Sequence, residues 1–207
     1  MHLEILDSER QSLMGRLSFL RAQNFYLAGG TALALQIGHR TSIDFDFYTP
    51  QHFDPLLLGT RIQKEISSSE IRRVAEGTLI CVVDAKIEMS FFTYEYPLLE
   101  ACVNLPAMDL ASLKDIAAMK AIAIAQRGLQ RDFVDLYFLG QSMGLFEIIV
   151  STLKKYPGYD VYTLFQSLCY FEDAENQEQR YRLLTPVTWE DVKNYFRREV
   201  RHVQKLF

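Results

Sequence analysis

Residues 27–48 read Leu27-Ala28-Gly29-Gly30-Thr31-Ala32-Leu33-Ala34-Leu35-Gln36-Ile37-Gly38-His39-Arg40-Thr41-Ser42-Ile43-Asp44-Phe45-Asp46-Phe47-Tyr48. The apolar run Phe25-Tyr26-Leu27 leads into Gly29-Gly30, the pattern of a strand that stops in a tight turn. Residues 31–37 then read as about two helical turns, begun by a threonine able to cap and stopped by Gly38. Residues 43–47 alternate apolar and acidic, which predicts a second strand. Side chains two apart on a strand share a face, so Asp44 and Asp46 project together, with Ile43, Phe45 and Phe47 turned to the core.

Two neighbouring carboxylates repel each other unless a cation lies between them. Hard oxygen ligands in that pattern suit Mg²⁺ or Mn²⁺, with water and phosphate completing the shell. The glycine pair supplies the complement. Gly29 and Gly30 let backbone N–H groups approach an anion, and a helix starting at Thr31 would aim its positive end at the same place. Arg40, just before the acidic strand, has the fork geometry to grip a phosphate. Strand, glycine turn, helix and acidic strand together describe a site for attack on the α-phosphate of a nucleoside triphosphate. Glu88 in Lys86-Ile87-Glu88-Met89-Ser90 is the candidate third metal ligand, and it reads equally as a plain exposed strand glutamate.

Outward from this stretch, residues 3–22 carry leucines at near-helical spacing and predict an opening helix. A helix is expected over residues 55–66. Two or three strands are expected over 71–96, with turns near Gly77 and Ala85. Residues 109–127 make the longest helical pattern, broken by Gly128. A further helix over 131–139 is expected to end at Gly140, and 144–207 reads as helical around a polar loop at 172–180. Strands thus precede helices, an α+β arrangement. The expected division is a sheet-bearing core over residues 1–106 and a helical region over 107–207.

On the helix 109–127, Lys120 and Arg127 fall within the apolar arc, and a cation there needs a partner or a ligand. Asp132 and Asp135 are neighbours on the next helix. Either they bridge to Lys120 and Arg127 and lock two helices together, or an aspartate holds Lys120 towards the triphosphate.

The 207 residues are 49% apolar and 23% charged, which excludes a disordered chain and allows a real core. The net charge of −4 excludes a generally basic nucleic-acid binder. The C-terminal run Arg197 to Lys205, with Arg180 and Arg182 before it, reads as a solvated helix face. No stretch is apolar enough for a bilayer span, Met1 to Arg10 does not read as a signal peptide, and no membrane association is expected. Three widely spaced cysteines without a CxxC pattern point to a reducing compartment, so a cytoplasmic location is expected.

The block at 27–48 resembles the AbiEii/AbiGii-type nucleotidyltransferases, a branch of the DNA polymerase β-like superfamily. So does a second block, Leu113-Lys114-Asp115-Ile116-Ala117-Ala118-Met119-Lys120 continuing through Arg127-Gly128 to Arg131-Asp132-Phe133-Val134-Asp135-Leu136-Tyr137. The resemblance implies a small mixed-sheet nucleotidyltransferase core with a helical C-terminal region and Mg²⁺-dependent use of an NTP. It also implies a toxin role beside an antitoxin partner, with RNA, including tRNA ends, as one acceptor class. Carried over by residue, Gly29, Gly30 and Thr31 hold phosphates and Asp44 and Asp46 bind metal, while Lys120 with Asp132 or Asp135 matches the downstream motif. One departure is visible: Glu88 stands near the third acid's place, and Ser90 is the other occupant of that slot.

Overall fold

The computed structural model describes residues 1–175, 177 and 181–207; Arg180 and part of the expected loop at 172–180 lie outside the described residues. Seven strands among the described residues form one mixed sheet in the order β3-β4-β5-β2-β1-β7-β6. They are β1 (Tyr26–Ala28), β2 (Phe45–Thr49), β3 (Ser69–Ala75), β4 (Thr78–Val83), β5 (Ile87–Thr93), β6 (Val103–Asn104) and β7 (Asp109–Leu110). β3, β4 and β5 form the expected meander. β2 lies between β5, to which it is parallel, and β1, to which it is antiparallel. That position puts Phe45 and Phe47 at zero exposure on one face of β2, stacked with the equally buried Phe91 of β5.

The helices are α1 (Ser8–Gly15), α2 (Gly29–Ile37), α3 (Pro55–Glu65), α4 (Leu113–Arg127), α5 (Gln130–Met143), α6 (Leu145–Lys155), α7 (Val161–Cys169), α8 (Glu172–Glu175) and α9 (Trp189–Val203). The continuous opening helix expected over 3–22 is broken into a 3₁₀ turn, α1 and a second 3₁₀ segment. Asp7 causes the restart, because its carboxylate accepts from the Arg10 N–H and caps α1. The leucine spacing still serves the core: Leu13, Leu17 and Leu20 are buried.

Two other boundaries differ. Residues 109–110 are strand β7, and α4 starts only after Ser112, whose hydroxyl accepts from the Asp115 N–H at 3.0 Å. Gly140 does not end α5. It sits inside the helix, at a point where a Cβ would run into the Tyr195 hydroxyl, so the glycine marks close packing of α9 rather than a stop.

The chain forms two compact units, residues 1–97 with 101–111 and residues 98–100 with 112–207. The short segment 98–100 belongs to the second unit for a specific reason. The N–H groups of Leu99 and Glu100 donate to the Asp115 carboxylate, which also accepts from Ser112 and from Lys155 at 2.7 Å. Asp115 and Lys155 are both at zero exposure. In this unit α4 is the central helix, packed by α5, α6 and α7. Among the described residues, no single helix is long and apolar enough to cross a membrane.

Candidate active site

The sheet-bearing unit builds its acidic face from register. Asp46 is opposite Ala28 on β1 and opposite Ser90 on β5, so it lies at the centre of three adjacent strands. Asp46 is half-buried in β2, alternating with buried Phe45 and Phe47 as predicted; Asp44, also half-buried, immediately precedes the strand. Ile43 departs from that prediction: it precedes the paired part of β2 and is 44% exposed, so the pleat does not turn it inward.

The glycine turn meets this face. Gly29 has φ +65°, a backbone conformation that costs an ordinary L-residue roughly 1–2 kcal/mol. A Cβ there would lie 3.0 Å from Asp46 Oδ2. The next glycine, Gly30, leaves room for the Arg40 guanidinium, which lies where its Cβ would be. Helix α2 starts at Gly29 itself, after Ala28 and without a side-chain cap. Its first N–H groups and the positive end of its dipole therefore belong to the same corner as Asp46.

Thr31 is a correction. It does not cap α2; it is the helix's third residue, 2% exposed, and its hydroxyl donates to the Asp44 carbonyl and meets Ser42 Oγ at 2.7 Å. The residue thereby ties the segment entering β2 to α2 and sets where Asp44 begins. Arg40 is likewise 4% exposed, and its Nη1 donates to the Thr41 carbonyl at 3.0 Å.

Glu88 precedes Met89, the partner of Phe45, so along β5 it stands on the Asp44 side of Ser90. It is exposed and pairs with Val82, while buried Ser90 stands beside Asp46. Among the described residues, no group of three His, Cys, Asp or Glu side chains converges as a metal site. β5 runs parallel to β2 and sets Ser90 opposite Asp46.

Within the helical unit, Lys120 is buried between Asp132 at 2.7 Å and Asp135 at 2.6 Å. Arg127 forks onto the Asp132 carboxylate at 2.9 and 3.2 Å with half its side chain exposed. Both bridges open at the sequence level are therefore present in one cluster. Burial alone would raise the Asp132 carboxyl, but the Lys120 and Arg127 charges outweigh it and hold the group below its ordinary value.

A third ion site, Asp115 with Lys155, was not foreseen. The Ser-x-x-Asp spacing at 112–115 was its one sequence signal. The C-terminal basic run lies on α9. Arg197 reaches Glu190 and the Phe171 ring, and Arg198 reaches Glu199, which fits a solvated face.

Comparison with known proteins bears on the family and the fold. Residues 13–100 match the family described as nucleotidyl transferase AbiEii toxin, type IV TA system. An uncharacterized protein of Aquifex aeolicus is 42% identical over 204 residues, covering 96% of this chain and 97% of its own. Among solved structures, JHP933 of Helicobacter pylori is similar with TM-score 0.56 at 15% identity, over 97% of this chain and 96% of its own. The nucleotidyltransferase toxin MenT4 of Mycobacterium tuberculosis gives 0.55 at 15% identity, over 95% and 83%. The antibiotic-resistance factor ANT(2'')-Ia gives 0.54 at 10% identity, over 72% and 92%. At such identities the structural likenesses show a nucleotidyltransferase fold; residues 13–100 carry the AbiEii nucleotidyltransferase match, and over its length the chain belongs to one family with the Aquifex relative.

Proposed function

We propose that the protein transfers a nucleoside monophosphate from an NTP to an acceptor hydroxyl, with RNA, tRNA ends included, as the acceptor class. The observation that carries this is the approach of the Asp46 carboxylate to Gly29 at the start of α2, which joins acidic pair and anion cradle in one corner. In this reading the Gly29 and Gly30 backbone and the α2 dipole hold triphosphate oxygens, and Arg40 holds Gly30's side of the cradle. Thr31 acts by positioning Asp44.

Two half-buried carboxylates, one in β2 and one just before it, suit a hard divalent cation that keeps water and phosphate among its ligands. Asp44 and Asp46 would hold Mg²⁺ or Mn²⁺, which would neutralise charge developing on the α-phosphate and the departing pyrophosphate. The acceptor oxygen forms a bond to the α-phosphorus, the bond to the bridging oxygen breaks, pyrophosphate leaves with the electron pair, and the hydroxyl proton passes to solvent.

The proposal gives Lys120, Asp135, Asp132 and Arg127 a conditional part. Two cations and two carboxylates already balance in that cluster. Lys120 and Arg127 therefore serve the nucleotide only where a phosphate competes with an aspartate for them. A toxin role with an antitoxin partner is part of the same proposal, supported by the family description and by the likeness to MenT4.

Transfer from each of four α-labelled NTPs to total RNA, with Mg²⁺ or Mn²⁺, is the test, run beside Asp44→Asn/Asp46→Asn. RNA label that disappears in the double variant supports the reading. Ser90 at the place of a third acid favours a second reading, nucleotide binding with weak turnover. NTP-dependent thermal stabilisation with no pyrophosphate release, whatever the acceptor, would select it.

A further inference from the structure

Asp44 stands one residue before the paired part of β2, so strand pairing does not by itself fix where its carboxylate lies. Side chains from outside the sheet hold the backbone there. The Thr31 hydroxyl of α2 donates to the Asp44 carbonyl. One residue earlier, Nε of Arg10 donates to the Ile43 carbonyl at 2.7 Å. Arg10 belongs to α1 and is only 8% exposed, a setting in which a guanidinium needs a partner. Asp7 is that partner. One of its carboxylate oxygens accepts the Arg10 backbone N–H at 2.9 Å and caps α1, and the other accepts Nη1. The planar fork is thereby fixed with Nε aimed at Ile43.

The helix is itself tied to the neighbouring strand. Glu9 pairs with Lys86, which directly precedes β5. Because β2 and β5 are parallel and in register, their first residues lie at the same end of the sheet. α1 thus reaches both strand entries, one through Lys86 and the other through Ile43. The segment before α1 meets the other end of the loop that leads into β2. There the His2 N–H donates to the Leu35 carbonyl at 2.8 Å, and its ring occupies the space beside Gly38.

We propose that Arg10 is a positioning residue of the acidic site, setting the Asp44 carboxylate against Asp46 through the Ile43 carbonyl. The inference rests on the reading of Asp44 and Asp46 as metal ligands and deepens it by naming what holds one of them in place. Mg²⁺ demands near-ideal octahedral ligands at about 2.0–2.1 Å, whereas Ca²⁺ accepts looser shells at about 2.3–2.6 Å. A displaced Asp44 therefore penalises Mg²⁺ more than Ca²⁺, and a general loss of stability penalises both alike. Lysine lacks the fork and cannot serve Asp7 and Ile43 in the same geometry.

The test is Mn²⁺ binding to the full chain, followed by electron paramagnetic resonance with Mg²⁺ or Ca²⁺ as competitor. Wild type is compared with Arg10→Lys, Asp7→Asn and Leu13→Ala. Arg10→Lys is expected to weaken Mg²⁺ about tenfold and Ca²⁺ by less than about twofold. Asp7→Asn keeps an oxygen for the cap and loses the acceptor of Nη1, so the ratio of the two affinities should move the same way. Leu13→Ala, which empties a buried position of the same helix, should lower the melting temperature and leave the ratio at its wild-type value. Thermal melting establishes that each variant is folded, and Asp7→Asn carries the test if Arg10→Lys does not fold. A wild-type ratio in the folded Arg10 and Asp7 variants, or an equal shift in Leu13→Ala, overturns the positioning role. Label transfer separates the two readings. A shifted ratio in Arg10→Lys with no transfer from any NTP by wild type removes the enzymatic reading alone. Transfer by wild type, with kcat and metal ratio unchanged in Arg10→Lys, removes the positioning role alone. Mn²⁺ binding that survives in Asp44→Asn/Asp46→Asn removes the metal site on which both rest.

Discussion

Gly29 shows how much one missing side chain arranges. Its φ of +65° and the 3.0 Å approach of Asp46 Oδ2 to the position of an absent Cβ are two separate demands for glycine. Gly29→Ala is expected to cost about 1–2 kcal/mol from backbone strain alone, read by urea unfolding, and to weaken Mn²⁺ binding by displacing Asp46. A variant as stable as wild type would mean that the turn relaxes. Thr31→Val keeps the shape and removes the hydroxyl that donates to the Asp44 carbonyl. Its expected signature is a loss of roughly 1 kcal/mol in stability with a larger fractional loss of transfer than of NTP binding. Equal losses of both would remove its positioning role.

At the scale of elements, α4 is the informative case. Two ammonium–carboxylate sites, Lys120 with Asp132 and Asp135, and Asp115 with Lys155, are buried along it. Breaking a buried pair strands the remaining charge, so Lys155→Met is expected to destabilise the fold by about 3–5 kcal/mol. Unfolding equilibria of the variant check this, and a loss below about 1 kcal/mol would place Lys155 in water in solution. Asp132 adds a pH dependence. Its folded value lies below the ordinary carboxylate value, because Lys120 and Arg127 outweigh burial. The stability it contributes is therefore complete above the unfolded value of about 3.9 and is lost as pH falls through the depressed folded value. Acid unfolding of Asp132→Asn should be shallower than wild type in that window.

For the whole molecule, the proposed nucleotide site predicts a coupling of binding to stability. NTP with Mg²⁺ at about one hundred times its Kd is expected to stabilise the fold by about 2.7 kcal/mol, and Asp44→Asn/Asp46→Asn should abolish the gain. An equal gain in the double variant would put the nucleotide elsewhere.

The corner was legible in the sequence because its parts are local. Strand, Gly29-Gly30, helix and Asp44-Phe45-Asp46 follow one another between residues 25 and 46, and period-two alternation predicts which side chains share a face. The α5 aspartates were legible for the same reason, since a cation on an apolar arc demands a partner near in the chain. Only the tertiary structure decided the rest, because it depends on pairing between distant strands and helices. The parallel register of β5 on β2 put Ser90, and not Glu88, beside Asp46. Parallel pairing with β1 made a strand of residues 109–110, which a helical period had claimed. Packing of α9 turned Gly140 from an expected stop into a contact, and the reach of Lys155 to Asp115 across forty residues left no periodic trace. Local spacing specifies which groups face one way; which groups finally meet is set by register and packing, and neither is written in neighbouring residues.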